Sequence, residues 1–190
     1  FLMIRRPPRS TLFPTRRSSD LQALPGTAQA EETGDTFEAN ARLKAVAASL
    51  RFDGPVLADD SGLETDPLGG RPGVRSARFA GPAADDAANR AKLLHELRSS
   101  GVAPDGWTAR FRCAIALARG GTVLAVCEGR VEGRIVERAR GSGGFGYDPL
   151  FVPEGFRETF AELGAETKNA LSHRARALEA ARRILDGFAD

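Results

Sequence analysis

The sequence predicts an α/β fold: a mixed, twisted sheet flanked by helices, in two lobes with an active-site cleft between them. Three observations point there. Apolar residues recur at helical spacing in three stretches, 31–50, 85–101 and 170–188. Between them lie strand-like runs at 55–58, 107–121 and 122–137. The order of these elements is not a regular strand-helix-strand repeat, and 190 residues suffice for one full core but not for two independent domains.

Taken in order, "EETGDTFEANARLKAVAASL" opens with acids and then places Phe37, Ala41, Ala45 and Ala48 on one helical stripe. Asp35 followed by Glu38 is a variant capping box, so the helix should begin near Thr36. A strand at Pro55–Ala58 ends in Asp59, Asp60 and Ser61. "DDAANRAKLLHELRSSG" is a second helix that Gly101 stops. The two runs that follow are strands joined at Gly120-Gly121, a hairpin signal. A glycine-rich stretch, "RGSGGFGYDPLFVPEG", leads to a closing amphipathic helix with Leu171, Ala175, Leu178 and Leu185 on one side.

Composition excludes several function classes. No apolar run reaches the roughly 18 residues of a membrane span, and Cys113 and Cys127, both in apolar runs, read as reduced core residues of a cytoplasmic protein. The chain has 27 Lys+Arg and 25 Asp+Glu; without the five arginines and one aspartate of residues 1–20 the balance is 22 to 24, a net of −2. That leaves no basic footprint for nucleic acid or an anionic membrane. Residues 1–20 carry three prolines and no periodicity, and they resemble the translation of a sequencing adapter. They are expected to be a non-native, disordered tail, with the functional domain spanning 21–190.

Four clusters carry reactive groups: Glu31-Glu32, Asp59-Asp60-Ser61, Gly143–Pro149 and Lys168–Arg174. Because strand side chains alternate, Asp59 and Asp60 cannot share one apolar layer. A carboxylate at a buried strand stays ionised only with a cation, a metal or several donors. Hard carboxylates suit Mg²⁺, which keeps several waters and takes ligands from substrate phosphates. Lys44, Lys168, His173 and Arg174 offer anion donors, and Lys44 and Lys168 are two of only three lysines beside 24 arginines. Together these residues describe a site for a nucleotide polyphosphate.

The motifs "EETGDTFEANARLKA", "LADDSGLETDPLGGRPGVRSARFAG", "ARFRC", "GGFGYDPLF", "TFAEL" and "KNALSHRARAL" resemble, in order and spacing, the noncanonical purine nucleoside triphosphate pyrophosphatases, the dITP/XTP or inosine triphosphate pyrophosphatase family. The resemblance implies Asp60 as general base and metal ligand, with Glu32 helping to hold Mg²⁺. Lys44 and Ser61 would contact phosphates. Phe145, Gly146, Tyr147 and Asp148 would hold base and sugar, and Lys168, His173 and Arg174 would complete the nucleobase pocket. It also implies a homodimer. The expected reaction converts ITP, dITP or XTP to monophosphate and pyrophosphate; a nucleotide-binding remnant without turnover, or a pyrophosphatase for modified pyrimidine nucleotides, are the alternatives. The family's Thr/Ser-Gly-Asn-x-x-Lys phosphate loop has no counterpart in residues 1–30.

Overall fold

The computed structural model describes residues 2–4, 21–23 and 32–187. A six-stranded sheet runs in the order β2-β1-β3-β4-β5-β6. Its strands are β1 (Leu2–Ile4), β2 (Leu21–Ala23), β3 (Val56–Thr65), β4 (Thr108–Arg119), β5 (Thr122–Ile135) and β6 (Phe151–Pro153). Four helices accompany it: α1 (Phe37–Ser49), α2 (Asp86–Ser99), α3 (Ala165–Leu171) and α4 (His173–Gly187).

The α/β class stands, but the sheet is antiparallel at every described pairing, not mixed. The reason lies in the connections. Gly120 and Gly121, both at positive φ, turn β4 directly into β5. The long excursion between β3 and β4 leaves at Thr65 and re-enters opposite it at Ala109, so the chain returns at the end from which it left.

β3 corrects the expected strand at 55–58. It continues through the two aspartates to Thr65, paired with β4 over its whole length, from Val56↔Ala118 to Thr65↔Ala109. Asp, Ser and Gly are poor strand formers, and continuous pairing with an apolar β4 overrides that preference. The first twenty residues were expected to hold no regular element, yet β1 lies within them, beside Val56 and Leu57. An open edge of β3 offers unpaired N–H and C=O groups that such a segment satisfies. Residues 5–20 lie outside the described residues.

Alternation along β3 and β4 splits the core. Ala58, Ala114, Ala116 and Ala118 face α1 and pack on Phe37, Ala41 and Ala45. Leu57, Cys113, Ile115 and Leu117 face the other way, onto Ala177 and Ala181 of α4. Further along that second face a larger core of Leu63, Leu93, Leu97, Trp107, Phe111 and Phe151 fixes α2. The core is thus divided between the two faces of the sheet, with its largest part further along the second face.

α1 begins where the sequence placed it, but its cap is Thr36, whose Oγ1 accepts from the Ala39 N–H at 3.1 Å. Glu38 instead pairs with Arg42 one turn on. The closing helix is broken: Ser172 leaves helical geometry and α4 starts at His173. Its buried apolar residues are Ala177 and Ala181, with Leu178 and Leu185 partly covered; Ala175 is not at the centre of the packed face.

Candidate active site

The two aspartates answer to two different sets of cations. Asp60 points to the α1 face, where its Oδ1 accepts from Lys44 Nζ at 2.9 Å and its Oδ2 from Asn40 Nδ2 at 3.0 Å. Lys44 Nζ also reaches Glu32 Oε1 at 3.2 Å, and Arg78 donates to Glu32 Oε2 at 2.9 Å. Two carboxylates thus converge on one ammonium group. Asn40 and Lys44 meet Asp60 because they lie one turn apart on α1, above a sheet face lined by Ala58 of β3 and the alanines of β4.

Burial pushes the Asp60 carboxyl above its ordinary range, and the neighbouring Glu32 charge adds to this against the opposing pull of Lys44 and Asn40. For Glu32, burial also acts upward, but hydrogen bonds from Arg78 and Lys44 outweigh it and hold the group below its usual value. Glu32 is therefore the firmly ionised member and Asp60 the more basic one. Glu31 lies outside the described residues.

On the opposite face Asp59 Oδ2 accepts from Arg174 Nε at 3.1 Å. The Arg174 guanidinium carbon lies 5.7 Å from the centre of the Phe145 ring, and Lys168 Nζ lies 4.6 Å from it. Lys168 is also paired with the buried Asp148, whose Oδ2 accepts from the Phe145 N–H at 2.8 Å. The Phe145 ring is 61% exposed and carries two cations against it, an arrangement suited to a flat, electron-rich partner.

Several expected members sit elsewhere. Ser61 alternates to the face of Asp59, opposite Cys113, and so lies on the other side of the strand from Lys44 and Asp60. Tyr147 is a core residue, with its hydroxyl donating to Ser76 O at 2.9 Å, and burial raises its pKa. Gly146 enters through its backbone alone. The His173 ring stacks on Phe111, with centroids 4.9 Å apart and the ring planes nearly parallel. Burial, with Arg174 and Lys168 close by, lowers its pKa to about 3, so the ring is neutral and its Nδ1 has no partner among the described residues.

Asn40 and Arg78 were missed by sequence reading. Asn40 could have been found: it is fully buried on the packed stripe of α1, and a polar side chain there needs partners. It has two, since its Oδ1 also accepts from the Gly34 N–H at 2.8 Å. Arg78 leaves no such signal, because it meets Glu32 only through the turn Gly73–Arg78. That turn packs close because Gly62 faces it: a Cβ there would fall 2.7 Å from Gly73 O.

Comparison with known proteins identifies the family. The sequence profile of the Ham1 family matches residues 10–184. A protein of Geobacillus kaustophilus named dITP/XTP pyrophosphatase is 55% identical over 166 residues, covering 86% of this chain and 80% of its own. One of the same name from Desulforamulus reducens is 53% identical over 164 residues, with the same two coverages. The structure of a HAM1 protein from Coxiella burnetii superposes with a TM-score of 0.79 at 41% identity, covering 85% of this chain and 82% of that one. With its acidic strand and its Phe145 loop in place on this fold, the chain belongs to the Ham1 family.

Proposed function

We propose that this protein hydrolyses noncanonical purine nucleoside triphosphates (ITP, dITP, XTP) to the monophosphate and pyrophosphate. The observation that carries the reading is Asp60. It is a carboxylate within a buried strand, made more basic by burial, with one oxygen fixed by Lys44 and the other by Asn40. In this role Asp60 takes a proton from the water that attacks the α-phosphorus. Lys44 and Arg78 supply positive charge beside the phosphates, and Asn40 keeps the base from rotating.

Mg²⁺ is the cofactor of the proposal, and the donor set fits it. Glu32 and Asp60 already share one cation, the Lys44 ammonium. Mg²⁺ takes one or two protein carboxylates and completes its shell with phosphates and water, and Glu32 and Asp60 supply that pair. When bound, Mg²⁺ would neutralise charge on the phosphate oxygens.

On the other face the purine stacks on Phe145, a contribution of roughly 1 to 3 kcal/mol per base. Arg174 and Lys168 are pure donors. A 6-carbonyl, as in hypoxanthine and xanthine, accepts from them, whereas the 6-amino group of adenine does not. The neutral His173 adds no further charge there. Release of pyrophosphate from ITP, XTP and dITP, compared with ATP and modified pyrimidine triphosphates in the presence of Mg²⁺, tests the reading. Faster turnover of the three 6-oxopurines is expected; equal turnover of ATP would overturn it.

The proposal includes a cytoplasmic homodimer. Two free, buried cysteines suit a reducing compartment, and among the described residues no helix is long and apolar enough to cross a membrane. Light scattering on the purified chain reads the mass directly.

A further inference from the structure

We infer that Asp86 and Arg90 of α2 are positioning residues for the purine, acting through the backbone of the loop that presents Phe145. Gly146 is held at both of its peptide groups. Its N–H donates to Asp86 Oδ2 at 2.6 Å, and its C=O accepts from Arg90 at 2.7 Å. The two side chains are one turn apart on α2, so they face the loop together. Gly146 sits at φ 59, a left-handed conformation in which a free glycine would be only one of several states. Clamping both groups selects that state, and with it the direction in which Phe145, the preceding residue, projects.

The clamp is only as precise as its base, and α2 is firmly based. Leu93 and Leu97 are fully buried in the larger core, and the helix is capped by the Asp85 side chain. The same helix also holds the turn that carries Arg78. Asn89 accepts from the Ala80 N–H at 2.7 Å and donates to Ala77 O at 3.0 Å, while Lys92 donates to Phe79 O at 2.7 Å. A helix that contributes no group to the chemistry thus sets the spacing between the base-stacking ring and the guanidinium on Glu32.

The inference rests on the reading of Phe145 as the stacking surface, and the experiment separates the two. Calorimetric titration of the full chain with inosine monophosphate and, separately, with pyrophosphate is compared across variants, with thermal unfolding as a check on folding. Asp86→Ala and Arg90→Ala should each weaken inosine monophosphate binding roughly threefold to tenfold, the range for one lost hydrogen bond. Pyrophosphate affinity should not change. Asp86→Asn, which keeps an acceptor for the Gly146 N–H, should restore binding. Because both residues hold the same glycine, one at each of its peptide groups, the double variant should lose less than the product of the single losses. Unchanged inosine monophosphate affinity in both alanine variants, or an equal loss of pyrophosphate affinity, would overturn the inference. Arg90→Ala carries the test alone if Asp86→Ala does not fold. Phe145→Ala binding as tightly as the parent, or a parent that binds no inosine monophosphate, would instead overturn the stacking reading and the inference with it.

Discussion

Replacing Gly129 by alanine should displace α4 and damage both stability and turnover. Gly129 lies on β5 where the first turn of α4 crosses it. A Cβ at that position would fall well inside van der Waals contact of the backbone His173 O and Ala177 N, and 3.0 Å from Arg176 Cβ. Two of these three neighbours are main-chain atoms of a helix, so no rotamer change relieves the clash and the helix as a whole must retreat. Overpacking of this kind costs about 1 to 3 kcal/mol. For a chain of this length that corresponds to a fall in Tm of roughly 2 to 12 °C. The same retreat carries His173 and Arg174 away from Phe111 and Phe145. A displacement of about 1 Å at a binding group costs on the order of a hundredfold in rate. Thermal unfolding followed by circular dichroism, with pyrophosphate release from ITP measured well below the transition, reads both effects. A Gly129→Ala protein with unchanged Tm would show that α4 does not bear on β5 as described. A lower Tm with unchanged kcat/KM would show that the first turn of α4 does not position the site.

The other predictions concern charges. Asp60→Asn should lower turnover by roughly 10² to 10⁴ while leaving Tm unchanged or raised, because a carboxyl with an elevated pKa is one whose ionised form the fold disfavours at neutral pH; a marked fall in Tm would contradict this, and Asp59→Asn should be milder in rate. His173 is neutral in the fold down to about pH 3 but protonates near 6.5 when unfolded, so the unfolded state binds more protons between these values and stability falls as pH drops through them. At pH 5 the loss is about 2 kcal/mol, and urea unfolding of His173→Gln should show a flatter profile in that window; an unaltered profile would mean that the ring titrates normally. Arg174→Ala should reduce kcat/KM for ITP by roughly 10- to 150-fold and for ATP far less, whereas equal losses would place Arg174 against the phosphates.

What the sequence disclosed about this site followed from how local each contact is. The start of α1 at Thr36 and the turn at Gly120-Gly121 depend on neighbours within a few residues, and both were legible. The opposed aspartates were legible too, because alternation is a property of any strand. The strand's continuation to Thr65 was not, since it depends on pairing with β4 some fifty residues away. Arg78 meets Glu32 across 46 residues. Motif membership alone did not disclose the strand face of Ser61 or the burial of Tyr147, because a motif says that residues travel together, not which face each one takes. The antiparallel sheet was lost for a related reason, because the order of elements leaves open the end at which an excursion returns.

The placement of Asp59 and Asp60 on opposite faces of β3 has a consequence for how this chain can vary. Every residue of β3 is counted off against β4, so adding or deleting one residue between Val56 and Asp59 would send each carboxylate to the opposite face while the helices stay where they are. An insertion would put Asp59 where Asp60 now meets Lys44 and push Asp60 to the place of Ser61, whereas a deletion would put Asp60 where Asp59 now meets Arg174 and draw Asp59 back to the place of Ala58. Individual side chains in this strand are open to substitution, but its length is not. Related sequences should therefore differ in the letters of this segment and never in its count, and insertions should gather in the loops on either side.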